Sequence, residues 1–286
     1  MTDVTAAYQQ ARSTGAETSA RAAERVRGST VLLVRGFLSD AIVQVGAAVH
    51  TMLGGPQGGN GIGEYFDAQM RWLESIHARF ERVEIESEAP VHDNAVRIRR
   101  RLEALPRVVI VSHSKGCLDV LGALLDAPNL WERVTGWVAL QGPFAGTPVA
   151  DVVTSHPALR TVAATVLAAA NGSIASIEDM RTATRRASLD HHAAQISDLL
   201  ATVPTLCFAS CMAPPNQCAT FLAPTLALVQ AKPGGGPNDG LVPQASATLP
   251  GARVVFSDAV DHAMPVMDSI MPLDRVAFTQ ALLCTL

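Results

Sequence analysis

Residues 107–125 read RVVIVSHSKGCLDVLGALL, and the character of the sequence changes abruptly in the middle of this stretch. The β-branched apolar run over 108–111 is typical of a parallel strand buried on both faces. A short polar segment from Ser112 to Gly116 follows, and leucines then recur over 118–125 at helical spacing. The stretch therefore predicts a strand, a sharp turn and a helix in immediate succession.

Ser114 lies at the apex of the predicted turn. A serine held there exposes its hydroxyl above the carboxyl end of the strand, and the helix beside it points free backbone N–H groups toward whatever that hydroxyl attacks. The arrangement resembles the nucleophile elbow of the α/β-hydrolase superfamily, whose usual form is Gly-x-Ser-x-Gly. Here Ser112 replaces the first glycine and Gly116 keeps the second. The alternative interpretation is a helix-capping serine after a core strand.

Strand-like and helix-like segments alternate around this stretch. Apolar runs predict strands at 30–34, 83–85, 134–140, 204–210 and 253–256, and helical periodicity predicts helices at 64–80 and 91–105. This order predicts an α/β fold with a mostly parallel central sheet flanked by helices. Residues 149–202 have no strand-like run and predict two alanine-rich helical stretches, about 149–170 and 174–202.

The resemblance implies a division of the chain into a core and an insertion. Residues 29–148 and 203–286 would form the α/β-hydrolase core, and the helical segment 149–202 would form a cap or lid over the serine. Residues 1–28 are alanine-rich and polar and predict an N-terminal helical arm, either a surface helix or a frayed segment. The six glycines of 54–63 predict a mobile loop, because no Lys-Ser or Lys-Thr pair of a phosphate loop follows them.

A second motif and two further residues strengthen the resemblance to bacterial lipases and esterases. Residues 142–148 contain the Gly-x-x-x-Gly-Thr-Pro pattern of those enzymes, in Gly142, Gly146, Thr147 and Pro148. Asp239 in Asn-Asp-Gly-Leu-Val-Pro is similar to their triad acid, and His262 after the last strand is similar to their triad histidine.

The chain order Ser114, Asp239, His262 is the order that this fold requires. The resemblance implies that Ser114 is the nucleophile, that His262 takes its proton, and that Asp239 holds the imidazole in the right tautomer. Asp258 and Asp261 compete for the acid role, but both lie too near His262 in sequence to approach its ring easily.

The resemblance also implies an oxyanion hole of two backbone N–H groups. One belongs to Lys115, and the other to Phe37 after the predicted strand at 30–34, with Leu38 as the second choice. The Lys115 side chain is itself a candidate base of the Ser-Lys type. We expect the elbow to point that side chain away from Ser114, and a histidine is available for the role.

Composition limits the class of protein. With 286 residues, 48% hydrophobic and 17% charged, the chain can cover both faces of a sheet in one catalytic domain. The net charge of −4 gives no broad basic field for nucleic acid. Neither an eighteen-residue apolar run nor the apolar core of a secretion signal occurs, which predicts no membrane span and a cytoplasmic location.

Cysteines and histidines give no clear metal pattern. The five cysteines include no CxxC pair and predict mostly free thiols, with a Cys211–Cys218 bridge left open. The run Asp190, His191, His192 is more typical of a solvated helix face than of a metal site, because further ligands are missing. We therefore predict no cofactor, while a structural calcium ion, bound in some related lipases, stays an open point.

The sequence thus predicts a carboxylic ester hydrolase of the lipase or carboxylesterase type. It would act on a small-molecule or lipid-like ester through an acyl-serine intermediate. A polyester depolymerase of the polyhydroxyalkanoate type and an acyltransferase are alternatives with the same triad, and a non-catalytic binding module is a third.

Overall fold

Strand β4 (Val108–His113) is an interior strand of the sheet, and its side chains alternate between two separate cores. Val108 and Ile110 pack into the core on one face, and Val109 and Val111 pack into the core on the other. Since successive side chains of a strand point to opposite faces, a strand covered on both faces must be apolar throughout. This is why the run over 108–111 has no polar alternation.

The computed structural model describes residues 1–37, 65–213, 222–267 and 273–286. Within these residues seven parallel strands form one sheet. In addition to β4, the strands are β1 (Thr2–Asp3), β2 (Thr30–Val34), β3 (Arg79–Arg82), β5 (Val134–Leu140), β6 (Thr205–Ser210) and β7 (Arg253–Ser257). Their order in the sheet is β1-β7-β6-β5-β4-β2-β3. The parallel sheet agrees with the fold class predicted from sequence.

Helices cover both faces of the sheet. One face carries α1 (Thr5–Ser13), α2 (Gly15–Val26), α3 (Asp67–Ser75) and α12 (Arg275–Thr285), and the other carries α4 (Val91–Ala104) and α5 (Lys115–Asp126). Helix α12 has no counterpart among the helices predicted from sequence. Residues 1–28 do not fray, because β1 extends the sheet beside β7 and both N-terminal helices pack against α12.

The segment between β5 and β6 folds as five helices where the sequence predicts two long stretches. They are α6 (Pro148–Ser155), α7 (Pro157–Ala169), α8 (Ala175–Glu178), α9 (Thr182–His191) and α10 (Ala193–Thr202). Pro157 separates the first two helices, since it lacks the N–H that a continuing helix would need. Asn171, with φ 56°, and Gly172 turn the chain after α7. A further helix, α11 (Ala223–Ala231), and a 3-10 helix at Pro128–Arg133 complete the described elements.

Two predicted elements before α4 are wrong in their bounds. The predicted helix at 64–80 ends at Ser75, because His77 adopts φ 53° and the N–H of Ala78 donates to the carbonyl of Leu73. Residues 79–82 then form β3 at the sheet edge, and 83–85 lie outside any strand. An edge strand is half exposed and has no apolar run, so its sequence gives little signal.

Several predictions concern residues that the structure does not describe. The glycine-rich segment 54–63, Leu38 and Cys218 lie outside them, so the Cys211–Cys218 bridge remains untested. Among the described cysteines, which are Cys117, Cys207, Cys211 and Cys284, no two are joined by a disulfide. None of the described helices has the length and apolar character that crossing a bilayer requires.

Candidate active site

Ser114 stands between β4 and α5 in a backbone conformation that serine rarely adopts. Its φ is 55° and its ψ is −132°, a sparsely populated region whose cost the surrounding structure must offset. A Cβ on Gly116 would lie 2.3 Å from the carbonyl oxygen of Arg35. Glycine is therefore required at position 116, where the start of α5 passes directly against the chain leaving β2.

Ser112 fits the position where the superfamily usually has glycine. Its hydroxyl is fully buried, accepts a hydrogen bond from the indole N–H of Trp137 at 2.8 Å, and donates to the sulfur of Cys117 at 3.1 Å. The side chain thus has polar partners inside the core and lies beside the elbow without blocking it. The departure from Gly-x-Ser-x-Gly leaves the turn intact.

Ser114, His262 and Asp239 form a continuous line of hydrogen bonds. Ser114 Oγ lies 2.9 Å from His262 Nε2, and His262 Nδ1 lies 2.8 Å from Asp239 Oδ2. A carboxylate only accepts hydrogen bonds, so it fixes the proton of the neutral imidazole on Nδ1 and leaves Nε2 to accept from the serine. The geometry can therefore transfer the serine proton to His262.

Asp239 is held in place from both sides. Its Oδ1 accepts the N–H groups of Leu241 at 2.9 Å and Val242 at 2.8 Å, so its other oxygen is aimed at the imidazole. The N–H of His262 donates to the carbonyl of Asp239 at 2.9 Å, which joins the two loops directly. Asp239 is fully buried, whereas Ser114 keeps 9% of its surface exposed, so a ligand reaches the serine and not the acid.

The competing candidates lie elsewhere. Asp261 Oδ1 accepts the N–H groups of Ala263 and Met264 within its own turn, and Asp258 is exposed. The Lys115 ammonium lies 2.8 Å from Asp119 Oδ1 in a fully buried ion pair. Burial raises the pKa of Asp119 to about 6, although the charge of Lys115 opposes the change. The structure thus pairs Lys115 with Asp119 and places His262 beside the serine.

The two residues predicted to supply oxyanion donors, Lys115 and Phe37, lie next to Ser114 in the chain and along the same cavity wall, respectively. Lys115 is the first residue of α5, so its N–H has no partner within the helix. Gly36 packs so tightly that a Cβ there would lie 2.8 Å from the Cβ of Ser114, and Phe37 follows it at the wall of the cavity. Leu38, the second choice for the donor, lies outside the described residues.

The serine opens into a cavity of about 340 Å³. Most of its wall is aliphatic or aromatic, and much of it comes from the segment after β5, including Val149, Ala150, Val153, Ala163, Ile177 and Met180. An apolar cavity with a few polar groups at one point is the usual form of a small-molecule site. The polar groups of Ser114 and His262 lie at that point.

The Gly-Thr-Pro turn connects β5 to the cavity wall. Gly142 must be small, because a Cβ there would lie 2.5 Å from the Cβ of Cys117, and Gly146 has φ 88°. Thr147 Oγ1 accepts the N–H of Val149 and caps α6. The motif therefore positions α6 beside the serine.

Sequence reasoning missed Tyr65 and Gln141. Tyr65 lines the cavity and binds the elbow through His113, and Gln141 lies under the histidine loop. Both act through partners distant in sequence, so no local pattern indicates them. The run 190–192 belongs to no group of three metal-ligand side chains among the described parts of the chain.

Solved structures provide the comparison with known proteins. A metagenomic carboxyl esterase aligns with a TM-score of 0.70 at 21% identity, over 89% of this chain and 74% of that one. A Bacillus licheniformis lipase in mature form aligns at 0.58 and 18% identity, over 82% and 84% of the two chains. Lipase 1 from Pelosinus fermentans aligns at 0.54 and 12% identity, over 82% and 92%. No family profile and no curated protein matches the sequence. At these identities the likeness shows the fold, which is the α/β-hydrolase fold predicted from the elbow.

Proposed function

We propose that this chain, which has the α/β-hydrolase fold, is a serine hydrolase of carboxylic esters of the lipase or carboxylesterase type. The observation that carries the proposal is the hydrogen-bonded line from Ser114 through His262 to Asp239, ending in an apolar cavity. The solved structures with which it shares this fold include a carboxyl esterase and two lipases.

The first half of the reaction forms an acyl-serine. Ser114 Oγ attacks the ester carbonyl carbon while His262 Nε2 takes the hydroxyl proton, and buried Asp239 stabilises the resulting imidazolium. The carbonyl oxygen becomes an oxyanion that accepts hydrogen bonds from the N–H groups of Phe37 and Lys115. As the intermediate collapses, the C–O bond to the alcohol breaks, and His262 returns the proton to the leaving oxygen.

The second half releases the acid. Water takes the place of the alcohol, and His262 Nε2 removes one of its protons as the water oxygen attacks the acyl carbon. The same two N–H groups accept the second oxyanion. The bond to Ser114 Oγ then breaks, and the proton held on His262 returns to the serine.

The cavity fits the acyl side of the substrate. A group of the size of a water molecule occupies about 30 Å³. A cavity of 340 Å³ therefore has room for an acyl chain of medium length. Because its wall is apolar, the cavity favours an alkyl chain over a charged or sugar-like acid. Nothing in the described residues favours the depolymerase or the acyltransferase over simple hydrolysis.

Helix α7 is the proposed lid. Ala163 on its inner side lines the cavity, while Leu159, Val162 and Val166 are 44%, 61% and 57% exposed. Other parts of the insertion are hydrogen-bonded to the core: the N–H of Val91 donates to Asp179 after α8, and Gln195 in α10 donates to the carbonyl of Leu125. Movement of α7 alone would admit a bulky ester without disturbing the sheet.

A chain-length series tests the function. Purified protein is assayed with p-nitrophenyl esters from acetate to palmitate, beside Ser114→Ala as the matched control. We expect the highest kcat/KM at medium chains, a fall toward palmitate and no turnover by the control. A folded wild-type protein that hydrolyses none of these esters would contradict the proposal.

A further inference from the structure

A buried chain of hydrogen bonds connects the loop after β2 with the catalytic histidine loop. The N–H of Gly36 donates to the hydroxyl oxygen of Tyr65 at 3.1 Å, and that hydroxyl is hydrogen-bonded to Nδ1 of His113. On the far side of the ring, His113 Nε2 lies 2.9 Å from the carbonyl oxygen of His262. Tyr65 and His113 are both buried.

The directions of these hydrogen bonds follow from the partners. The His262 carbonyl can only accept, and Gln141 Oε1, 3.1 Å from the same nitrogen, can only accept as well. The proton of His113 therefore lies on Nε2, and Nδ1 must accept. It follows that the Tyr65 hydroxyl donates to His113 and uses its oxygen to accept the Gly36 N–H.

Gly36 is confined from two directions. An added Cβ would lie 2.8 Å from the Cβ of Ser114 and 2.8 Å from the hydroxyl oxygen of Tyr65. Position 36 therefore has no room on either side, and the Tyr65 hydroxyl fixes the direction of its amide. The next amide along the chain is that of Phe37, the proposed oxyanion donor, so its orientation depends on how Gly36 is held.

We propose that Tyr65 and His113 are positioning residues that align the Phe37 N–H with Ser114 and His262, so that the oxyanion site and the base are set by one buried chain of hydrogen bonds. This inference rests on the proposed ester hydrolysis. Neither residue is catalytic, since each acts through a group that touches the reacting atoms.

This chain of hydrogen bonds persists only while His113 is neutral, because an imidazolium would have no acceptor at Nδ1. Burial holds the pKa of His113 well below its usual range, and the nearby His262 lowers it further. The two imidazole rings lie 4.7 Å apart between centroids, so a charge on one disfavours a charge on the other. His113 therefore stays neutral while His262 cycles through its protonated form.

Tyr65→Phe tests the inference, because it removes the hydroxyl and keeps the ring. We expect kcat on p-nitrophenyl esters to fall about tenfold to a hundredfold with KM within about twofold, as for a misplaced transition-state donor. Affinity for octylboronic acid, which forms a tetrahedral adduct on the serine, should fall by a similar factor. Tyr8→Phe is the matched control, since Tyr8 packs on Phe208 and Phe278 and does not line the cavity.

The possible results distinguish failure of this inference from failure of the proposed ester hydrolysis. If wild type and Tyr8→Phe turn over and Tyr65→Phe matches them in kcat, or loses kcat without losing boronate affinity, the inference is wrong and ester hydrolysis stands. If wild type does not turn over, the proposed function itself fails. Should Tyr65→Phe not fold, ¹⁵N NMR of the wild type decides, because a proton on Nδ1 of His113 would overturn the chain and one on Nε2 would support it.

Discussion

Replacing Asp239 by asparagine changes one heavy atom and should reverse the hydrogen bonding of His262, the proposed catalytic histidine. Asp239 Oδ1 accepts two backbone N–H groups, from Leu241 and Val242, which an amide nitrogen cannot do. The asparagine oxygen must therefore occupy that site, and its NH₂ group must face His262 Nδ1, now 2.8 Å from the carboxylate. Nδ1 then accepts and the proton moves to Nε2, so the imidazole donates to Ser114 where it should accept.

The expected loss is large because two effects combine. The wrong tautomer cannot take the serine proton, and the variant lacks the buried negative charge that would stabilise the imidazolium in the proposed mechanism. A triad with this change loses about 10⁴-fold in kcat, which corresponds to about 5.4 kcal/mol of transition-state stabilisation at 1.36 kcal/mol per tenfold. KM and the folded structure should change little, since the substituted side chain is fully buried away from the cavity.

The assay is steady-state hydrolysis of p-nitrophenyl butyrate, with circular dichroism to verify folding. Asp261→Asn is the matched control, because the amide oxygen can still accept the N–H groups of Ala263 and Met264 that Oδ1 accepts now. We expect the kcat of the control to stay within about tenfold of the wild-type value, because its local hydrogen bonds are retained. A mild loss in Asp239→Asn together with a severe one in Asp261→Asn would refute the assignment of the acid.

Three other perturbations test the packing around the site. A Cβ on Gly116 would lie 2.3 Å from a backbone carbonyl oxygen, whereas a Cβ on Gly122 in the same helix would lie 3.3 Å or more from side-chain atoms. Gly116→Ala should therefore lower both the activity and the melting temperature. Gly122→Ala should change the unfolding free energy by less than about 1 kcal/mol. In denaturant melts, Lys115→Met and Asp119→Leu should each cost about 3–5 kcal/mol by leaving a buried charge without its counter-ion. The double variant should recover much of that loss, although Asn94 Nδ2 no longer has Asp119 Oδ2 as an acceptor; additive losses would contradict this. Ala163→Phe should fill the cavity and lower kcat/KM for octanoate esters about tenfold or more relative to acetate, and an unchanged chain-length profile would place the acyl site elsewhere.

The fold could be predicted mainly from its central strands. The residues at 30–34, 108–111 and 134–140 are almost entirely buried and, apart from Thr30 and Thr135, have no polar side chains, so their sequences indicate strands directly. The edge strands β1 and β3 are exposed or half exposed, and the two-residue β1 gives no signal. These strands form because they pair with a neighbouring strand, and the sequence of one segment alone does not indicate that pairing.

The site divides in the same way. Ser114, Asp239 and His262 lie in turns with recognisable local patterns, and the structure brings them into contact. Tyr65 and Gln141 have no such pattern, because their roles depend on partners up to 120 residues away. The sequence pattern does not show where the five helices after β5 begin and end. Alanine-rich sequence favours a helix throughout, and the breaks depend on single residues such as Pro157.

Labelling of the intact protein by a fluorophosphonate probe shows directly whether Ser114 is an activated nucleophile. An activated serine attacks the phosphorus with loss of fluoride, whereas a capping or structural serine does not react. We expect one label per chain, located by peptide mass spectrometry on Ser114 and absent from Ser114→Ala, with labelling slowed strongly in Asp239→Asn. A folded protein that takes no label, or takes it at another residue, would contradict the assignment of Ser114 as the nucleophile.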